Sequence, residues 1–188
     1  MENKQIRLAA FVERSMANGP GCRAVIWVQG CHRRCPGCFN PAMLDFVGGQ
    51  MIDVSELARQ ILAIDGIEGI TLSGGEPLTQ AGPLAQLAES LQRQGLNVVL
   101  FTGYDAKELA VLTDPDQRQL LAAVDLAVAG PYRQELPSRC YLCGSDNQEL
   151  VFLSERLRWH PDLITGCDAV AEFIIETDGR IRVSGLLR

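Results

Sequence analysis

The sequence has few basic residues: 17 lysines and arginines stand against 23 aspartates and glutamates, giving a formal net charge of −6. Nucleic-acid binding relies on a basic surface, so we expect no nucleic-acid partner. The sequence also lacks an apolar run of the ~20 residues that span a bilayer. Residues 1–15 lack the apolar stretch of a secretory signal. We therefore expect a cytoplasmic protein with no membrane partner.

The chain contains no internal repeat and no low-complexity segment. With 188 residues, 47% of them hydrophobic, it suits one compact globular domain with a short appendage. Its seven cysteines are an odd number, which argues against a disulfide framework in a reducing compartment. Three of the seven fall within eight residues, and such clustering indicates metal binding or redox chemistry.

Short apolar runs alternate with longer amphipathic ones, a pattern typical of α/β folds with a largely parallel sheet. The predicted strands are 24–29, 67–73, 97–102, 125–129 and 150–153. The predicted helices are 54–64, 83–94, 105–112 and 116–123. About five to six βα units fit into this length, too few for a closed eight-stranded barrel. The expected architecture is an open partial (β/α) barrel.

The C-terminal part of the chain is expected to be an extension. We place the main domain at residues 1–153 and the extension, packed on the same domain, at residues 154–188. Within the extension, strands 170–176 and 180–186 would form a β-hairpin around a turn at 177–179, where the sequence reads Thr-Asp-Gly.

The clustered cysteines are Cys31, Cys35 and Cys38, in a C-x3-C-x2-C spacing that follows a predicted strand. An iron–sulfur cluster is commonly held by four cysteine thiolates, so three cysteines would leave one iron of a four-iron cluster without a protein ligand. Pro36 and Gly37 would help the backbone turn around the cluster. An open coordination position is characteristic of reactive metal sites, whereas structural sites are closed.

Zinc remains an alternative on spacing alone. A three-cysteine zinc site could be completed by His32, although a residue directly beside Cys31 points poorly toward the same metal. A fourth ligand from Cys140 or Cys143 is the more serious form of this alternative. These two form a separate C-x2-C pair that could also bind a second metal, cycle as a redox pair, or be incidental.

Other unusual residues also directly follow predicted strands. They are the turn Ser-Gly-Gly-Glu-Pro at 73–77, Thr-Gly at 102–103 and Gly-Pro at 130–131. In parallel α/β folds the carboxyl ends of the strands share one edge, where ligands bind. Two glycines permit close approach of a ligand to the backbone, and Glu76 adds a negative charge able to bind an amine.

These segments resemble the radical S-adenosylmethionine (SAM) enzymes, whose signature is C-x3-C-x2-C followed by an aromatic residue, here Phe39. The surrounding sequence at 18–23, 27–31 and 35–41 resembles the activating enzymes of glycyl radical enzymes, in particular those of anaerobic (class III) ribonucleotide reductases. Shorter matching stretches continue to about residue 153, among them Phe-Thr-Gly-Tyr at 101–104.

The resemblance implies a [4Fe–4S] cluster held by Cys31, Cys35 and Cys38, with SAM as the second cofactor. It assigns SAM contacts to Gly37, Cys38, Phe39, Gly74, Gly75, Glu76, Thr102 and Gly130, and no catalytic residue beyond the cluster. The implied reaction is reductive SAM cleavage to a 5′-deoxyadenosyl radical that takes hydrogen from a glycine of a partner enzyme. A reduced flavodoxin or ferredoxin would supply the electron.

Two alternative functions stay open. The extension after residue 153 exceeds the core of the reductase activases, which would suit a small radical SAM enzyme that modifies a peptide or small molecule. A non-enzymatic iron–sulfur or zinc module is the other alternative, disfavoured by the Gly-Gly-Glu-Pro turn. Arg23, Arg33 and Arg34 are expected to form a solvated patch, or a docking site for an acidic electron donor.

Overall fold

The computed structural model describes residues 4–164, 171–175, 179 and 181–185. Its strands are β1 (Gln5–Ser15), β2 (Arg23–Val28), β3 (Gln50–Asp53), β4 (Gly69–Gly74), β5 (Asn97–Thr102), β6 (Leu126–Ala129), β7 (Glu149–Phe152), β8 (Ala171–Ile175) and β9 (Ile181–Gly185). Its helices are α1 (Val54–Leu62), α2 (Ala81–Gln92), α3 (Ala106–Ala110), α4 (Pro115–Ala122) and α5 (Pro161–Ile164), with 3-10 turns at Pro41–Met43 and Pro77–Gln80. None of the helices described is long and apolar enough to cross a membrane.

The main sheet has seven strands in the order β3-β1-β2-β4-β5-β6-β7. The four strands β2, β4, β5 and β6 run parallel to their neighbours in this group. Strands β1, β3 and β7 pair antiparallel at the two sides of the parallel core. The prediction of a parallel-rich α/β fold is therefore confirmed.

The number of βα units differs from the prediction of five to six. The described residues form four parallel strands joined by three helical crossovers, because the remaining strands of the main sheet pair antiparallel. Strand β1 was absent from the predicted strands. Its alternation of buried and exposed residues is irregular, and its pairing with β2 shifts register twice. The strict alternation of apolar and polar residues that indicates a strand was therefore not visible in this segment.

The helices cover one face of the sheet. In each parallel strand alternate side chains point to this face, where they pack with the buried leucines of α2, Leu84, Leu87 and Leu91. Asp53 directly precedes α1, but its carboxylate accepts a hydrogen bond from Gln5 (3.1 Å) and none from the helix. The opposite face of the sheet presents Trp27, Ser73 and Phe101, and it is this face that borders the candidate site.

Residues after 153 contact the preceding part of the chain at several points. The Leu157 side chain is buried, and Arg156 Nη1 lies 3.6 Å from the buried carboxylate of Asp125. The Asp162 carboxylate accepts a hydrogen bond from the backbone N–H of Gly21 (2.8 Å). Strands β8 and β9 pair antiparallel in a separate two-stranded sheet. The turn expected at 177–179, apart from Gly179 itself, and the expected strand ends at 170, 176, 180 and 186 lie outside the described residues.

Arg23 contradicts the expectation of a solvated arginine patch, because its side chain is fully buried. Its guanidinium donates to Thr71 Oγ1 (2.8 Å), Asn97 Oδ1 (2.7 Å) and the backbone oxygens of Pro20 and Ile70. Burial lowers the pKa of Arg23 to about 10, so the group stays charged at neutral pH. One arginine thus joins β2, β4, β5 and the loop before β2.

Replacing Arg23 with methionine is expected to lower the free energy of unfolding by about 2–4 kcal/mol. Methionine fills much of the volume but leaves buried oxygens on three segments without a donor. Urea denaturation measures the effect, with Arg34→Met as the control, because the Arg34 side chain is 59% exposed. Equal midpoints for the two variants would contradict the structural role given to Arg23.

Candidate functional site

The cysteine loop leaves the carboxyl end of β2 and returns through the 3-10 turn at Pro41–Met43. Cys31 is buried, whereas Cys35 and Cys38 are half-buried. Backbone hydrogen bonds fix the start of the loop: the N–H of Gly30 donates to Met43 O and that of Cys31 donates to Leu44 O, both at 2.9 Å. All three cysteines therefore lie on a loop whose two ends are tied together.

Gly37 has the conformation that the sequence led us to expect of a tight turn. Its φ of +71° lies in the left-handed region, which favours glycine. A Cβ at this position would also lie 2.1 Å from Oε1 of Gln134. The Cys38 N–H donates to Cys35 O (3.2 Å), which closes the turn between these two cysteines. Gly37 is thus required for the shape of the loop.

The second loop, 73–77, follows β4 and lies directly beside the first. The N–H of Gly75 donates to Val28 O and the N–H of Glu76 donates to Gly30 O, each at 2.8 Å. The approach at Gly75 is so close that a Cβ there would lie 2.2 Å from Gly30 O. Because neighbouring parallel strands end at the same edge, the chain brings the cysteine loop and the Gly-Gly-Glu-Pro turn together.

The Glu76 carboxylate is buried at this edge and is fully engaged by the chain. Its Oε1 accepts hydrogen bonds from the Leu78 N–H (3.0 Å) and from Thr102 Oγ1 (2.9 Å). Its Oε2 accepts one from the Gly103 N–H (2.8 Å). Burial raises the pKa of Glu76, while these hydrogen bonds and the charge of Arg33 act in the opposite direction. Glu76 therefore fixes the ends of β4 and β5 relative to each other.

The two loops border a pocket of about 120 Å3, which we call the cluster pocket. Its lining includes Cys31, Cys35, Cys38, Phe39, Gly74, Gly75, Glu76, Thr102 and Gly130. Every residue predicted for the site is in this lining except Gly37, which faces Gln134 instead. The sequence did not single out Asn40, Gln148 or Tyr132, which also border the pocket. Asn40 lies within the segment 35–41 that carries the family resemblance, whereas Tyr132 follows β6 and Gln148 precedes β7.

The donor set of the cluster pocket fits an iron–sulfur cube. Three thiols border one concave space, and the close backbone approach of Gly75 to Gly30 brings the turn at 73–77 to the same space. In the described residues no three Cys, His, Asp or Glu side chains converge on a single ion. A cube needs no such convergence, because each thiolate binds a different iron.

The fourth ligand considered for a zinc site is not brought to the cysteine loop. Cys140 and Cys143 lie against each other, with their sulfur atoms 3.1 Å apart, and are not among the residues that border the cluster pocket. The His32 ring lies beside Tyr104, with 3.4 Å between Nε2 and the Tyr104 hydroxyl. The described part of the chain therefore places these candidate fourth ligands elsewhere.

A second, larger space of about 540 Å3 adjoins the cluster pocket, and we call it the sheet cavity. Phe39, Asn40, Ser73 and Phe101 border both spaces. The sheet cavity lies on the face of the sheet that carries no helices, and its far wall includes Val183, Ser184 and Gly185 of β9. The sequence did not predict this cavity, because its walls come from segments far apart in the chain.

Two of the three arginines near the site are paired with carboxylates. Arg33 Nη2 lies 2.7 Å from Glu108 Oε1, and its guanidinium lies 4.2 Å from the Tyr104 ring centre. The Glu108 hydrogen bond raises the pKa of Arg33 against the effect of burial. Arg34 pairs with Asp45 in solvent. Of the expected solvated patch, Arg34 is the member that is mainly exposed.

Gly75→Ala is expected to reduce stability by about 1–3 kcal/mol, because the added methyl meets a backbone oxygen that cannot move alone. It should also lower the iron bound after anaerobic reconstitution. Gly103→Ala is the matched control, since its Cβ would meet the flexible Arg33 side chain at 3.1 Å and would reach Glu76 Oε2 only at an ordinary contact distance of 3.4 Å. Thermal unfolding and iron content measure both effects. Similar stability and iron content in the two variants would contradict the conclusion that the close approach of Gly75 to Gly30 constrains the loop.

Comparison with known proteins identifies the family. A family described as a 4Fe-4S single cluster domain matches residues 17–151. The anaerobic ribonucleoside-triphosphate reductase-activating protein of Enterobacteria phage T4 is 34% identical over 140 residues, which cover 71% of this chain and 85% of that protein. The protein of the same name from Salmonella typhimurium is 30% identical over 153 residues, covering 76% and 96%.

Two further similarities are more limited in extent. The pyruvate formate-lyase-activating enzyme of Clostridium pasteurianum is 32% identical over 104 residues, covering 52% of this chain and 44% of that enzyme. The crystal structure of QueE from Escherichia coli aligns with a TM-score of 0.43 and 16% identity over 53% of this chain, a likeness too low to define the fold. On the matches to the cluster domain and to the activating proteins, this chain belongs to the radical SAM activating enzymes, a family of oxidoreductases that use a [4Fe–4S] cluster and SAM.

Proposed function

We propose that this protein generates a glycyl radical on a partner enzyme, with an anaerobic ribonucleotide reductase as the first candidate. The observation that carries the proposal is the shared pocket: three cysteines and the Gly-Gly-Glu-Pro turn border one space at the carboxyl edge of the sheet. The reductase is named because two of the similar proteins are activating proteins of that enzyme.

Cys31, Cys35 and Cys38 would hold the cluster, and SAM would bind beside it against Gly37, Cys38, Phe39, Gly74, Gly75, Glu76, Thr102 and Gly130. When bound, the two cofactors supply reductive SAM cleavage, whose organic radical removes a hydrogen atom from the substrate. No side chain of the protein is proposed to act as an acid, base or nucleophile. The protein binds, orients and shields the cofactors.

The residues of the chain support three parts of this task. Gly75 borders the cluster pocket without adding a side chain to it, and the buried Glu76 charge favours a cationic amine nearby. Phe39 is 50% exposed and packs against Tyr132, with ring centres 4.4 Å apart and ring planes tilted by 42°, which offers an aromatic surface to an adenine. Each group adjoins the cluster pocket.

We infer that the main sheet is an open partial barrel with helices outside and the sheet cavity inside. The helices cover one face only, and β3 and β7 stand at opposite ends of the strand order. We also propose that residues 154–188 work as part of the same domain as residues 1–153, since Leu157 and Asp162 pack against it. An open cavity would admit a glycine-bearing loop of a large partner.

The test is anaerobic reconstitution, chemical reduction and addition of SAM. We expect 5′-deoxyadenosine and methionine as products, and a glycyl radical signal in electron paramagnetic resonance after mixing with the partner reductase. Reduced flavodoxin or ferredoxin should replace the chemical reductant. Absence of SAM cleavage would contradict the proposed chemistry. Cleavage without a glycyl signal from every glycyl radical enzyme of the source organism would contradict the proposed partner.

A second candidate function is modification of a peptide or small molecule by the same radical chemistry. The observation that favours it is the wall of the sheet cavity formed by Val183, Ser184 and Gly185, because these residues lie beyond the family match at 17–151. The two functions separate in the same experiment: a small substrate would accelerate deoxyadenosine formation without any protein radical.

A further inference from the structure

The C-x2-C pair at Cys140 and Cys143 has a geometry of its own. The Cys143 thiol donates a hydrogen bond to Cys140 Sγ, with 3.1 Å between the sulfur atoms. The Cys143 N–H donates to Cys140 O (3.3 Å), so one tight turn brings the two residues together. A disulfide has an S–S length of about 2.05 Å. The two sulfur atoms are therefore only about 1 Å farther apart than in a disulfide.

The two sulfurs differ in access to solvent. Cys140 is exposed, whereas Cys143 is only 1% exposed. Burial and the neighbouring Cys140 raise the pKa of Cys143 to about 12, so this thiol keeps its proton and remains a donor. The exposed sulfur is therefore the one that an external reagent can reach.

The turn is held in place by the rest of the chain. The Tyr141 hydroxyl donates to Gly19 O (3.1 Å), and the Gly144 N–H donates to Gln148 Oε1 (2.8 Å). Leu142 borders the sheet cavity, and a Cβ on Gly144 would lie 2.7 Å from the Phe39 ring. The pair is thus distinct from the cluster cysteines but belongs to a segment that contacts the cluster pocket.

We propose that Cys140 and Cys143 form a thiol–disulfide exchange site that reacts with an external disulfide. Cys140 loses its proton, and its sulfur attacks one sulfur of the disulfide, breaks the S–S bond and releases a thiolate that takes up a proton to become the first thiol. Cys143 then attacks the Cys140 sulfur of the mixed disulfide, passes its proton to the departing sulfur and releases the second thiol. The protein loses two electrons and two protons, and the external disulfide gains both. A dithiol reverses the reaction.

The experiment exposes the anaerobic, cluster-loaded protein to glutathione disulfide, followed by alkylation and trypsin digestion. The sequence is well suited to this, because cleavage after Arg139 and Arg156 yields one peptide, 140–156, that contains both cysteines and no other. We expect this peptide to be unalkylated and two hydrogens lighter than its dithiol form, and to be alkylated twice after dithiol treatment. Two alkyl groups at every glutathione disulfide concentration would overturn the proposal.

Single variants show which of the two sulfurs reacts first with the external disulfide. Cys143→Ser should trap glutathione on Cys140, and it should do so about tenfold or more faster than Cys140→Ser traps it on Cys143. Equal rates would overturn the assignment of Cys140 as the exchanging sulfur. The tryptic peptide 15–23 contains Cys22 alone and reports the background of glutathione adducts. Because the wild-type mass shift stands without any variant, a folding defect in either variant leaves the test intact. The readout is a mass and is independent of the proposed radical chemistry.

Discussion

Cys35→Ala is expected to abolish SAM cleavage and most of the iron binding of the reconstituted protein. Cys35 is the central member of the cysteine loop and borders the cluster pocket between Cys31 and Cys38. Two thiolates would leave two irons of the cube without a protein ligand. Loss of even an outer partner of a metal site costs about 10–100-fold, so a lost ligand should lower the cleavage rate by about 100-fold or more.

Iron and sulfide content, cluster absorbance and deoxyadenosine formation measure this effect. Cys22→Ala is the matched control, since Cys22 is half-buried and lies outside the lining of the cluster pocket. It should retain full iron content. A Cys35→Ala protein with unchanged iron would contradict the assignment of this residue as a ligand. Tight zinc in place of iron in the anaerobically purified wild type would contradict the iron–sulfur assignment itself.

Glu76→Ala is expected to lower both the stability of the protein and its affinity for SAM. Removal of the carboxylate leaves the buried backbone N–H of Leu78 and the partly buried N–H of Gly103 without this acceptor. Each unsatisfied buried group costs about 1–3 kcal/mol, so the free energy of unfolding should fall by about 3 kcal/mol or more. The ends of β4 and β5 would separate, and the turn at 73–77 would lose its position beside Gly30.

Urea denaturation and equilibrium SAM binding to the cluster-loaded protein test this prediction. Glu149→Ala removes an exposed carboxylate near the same end of the sheet and serves as the control. Glu76→Gln should give a smaller loss, because the amide oxygen keeps part of the hydrogen bonding while the amide nitrogen meets a donor. Wild-type stability in Glu76→Ala would show that the three hydrogen bonds do not hold the strand ends together.

Much of the site could be predicted because its residues are local in sequence. The cysteine spacing spans eight residues, and the turn at 73–77 directly follows a buried strand. The rule that parallel strands end at one edge then brings these loops together without any knowledge of side-chain contacts. For the same reason Thr102 and Gly130, which lie at the ends of the next two strands, also border the cluster pocket.

The parts that could not be predicted depend on long-range packing. The burial of Arg23 requires Thr71 and Asn97 to approach from two other strands, and an arginine in the sequence gives no sign of such partners. The antiparallel β1 and the sheet cavity are similar cases, because pairing partners and cavity walls come from distant segments. A sequence pattern reports the face of an element but not what covers that face.

The hydrogen bonds that join the two loops have a thermodynamic consequence. The Glu76 N–H donates to Gly30 O and the Gly75 N–H donates to Val28 O. These two hydrogen bonds make the cysteine loop and the turn at 73–77 one mechanical unit. Ordering either loop therefore lowers the conformational entropy that remains to be lost when the other binds its ligand. Cluster and SAM should then bind with positive cooperativity, and linkage requires that each raise the affinity for the other by the same factor.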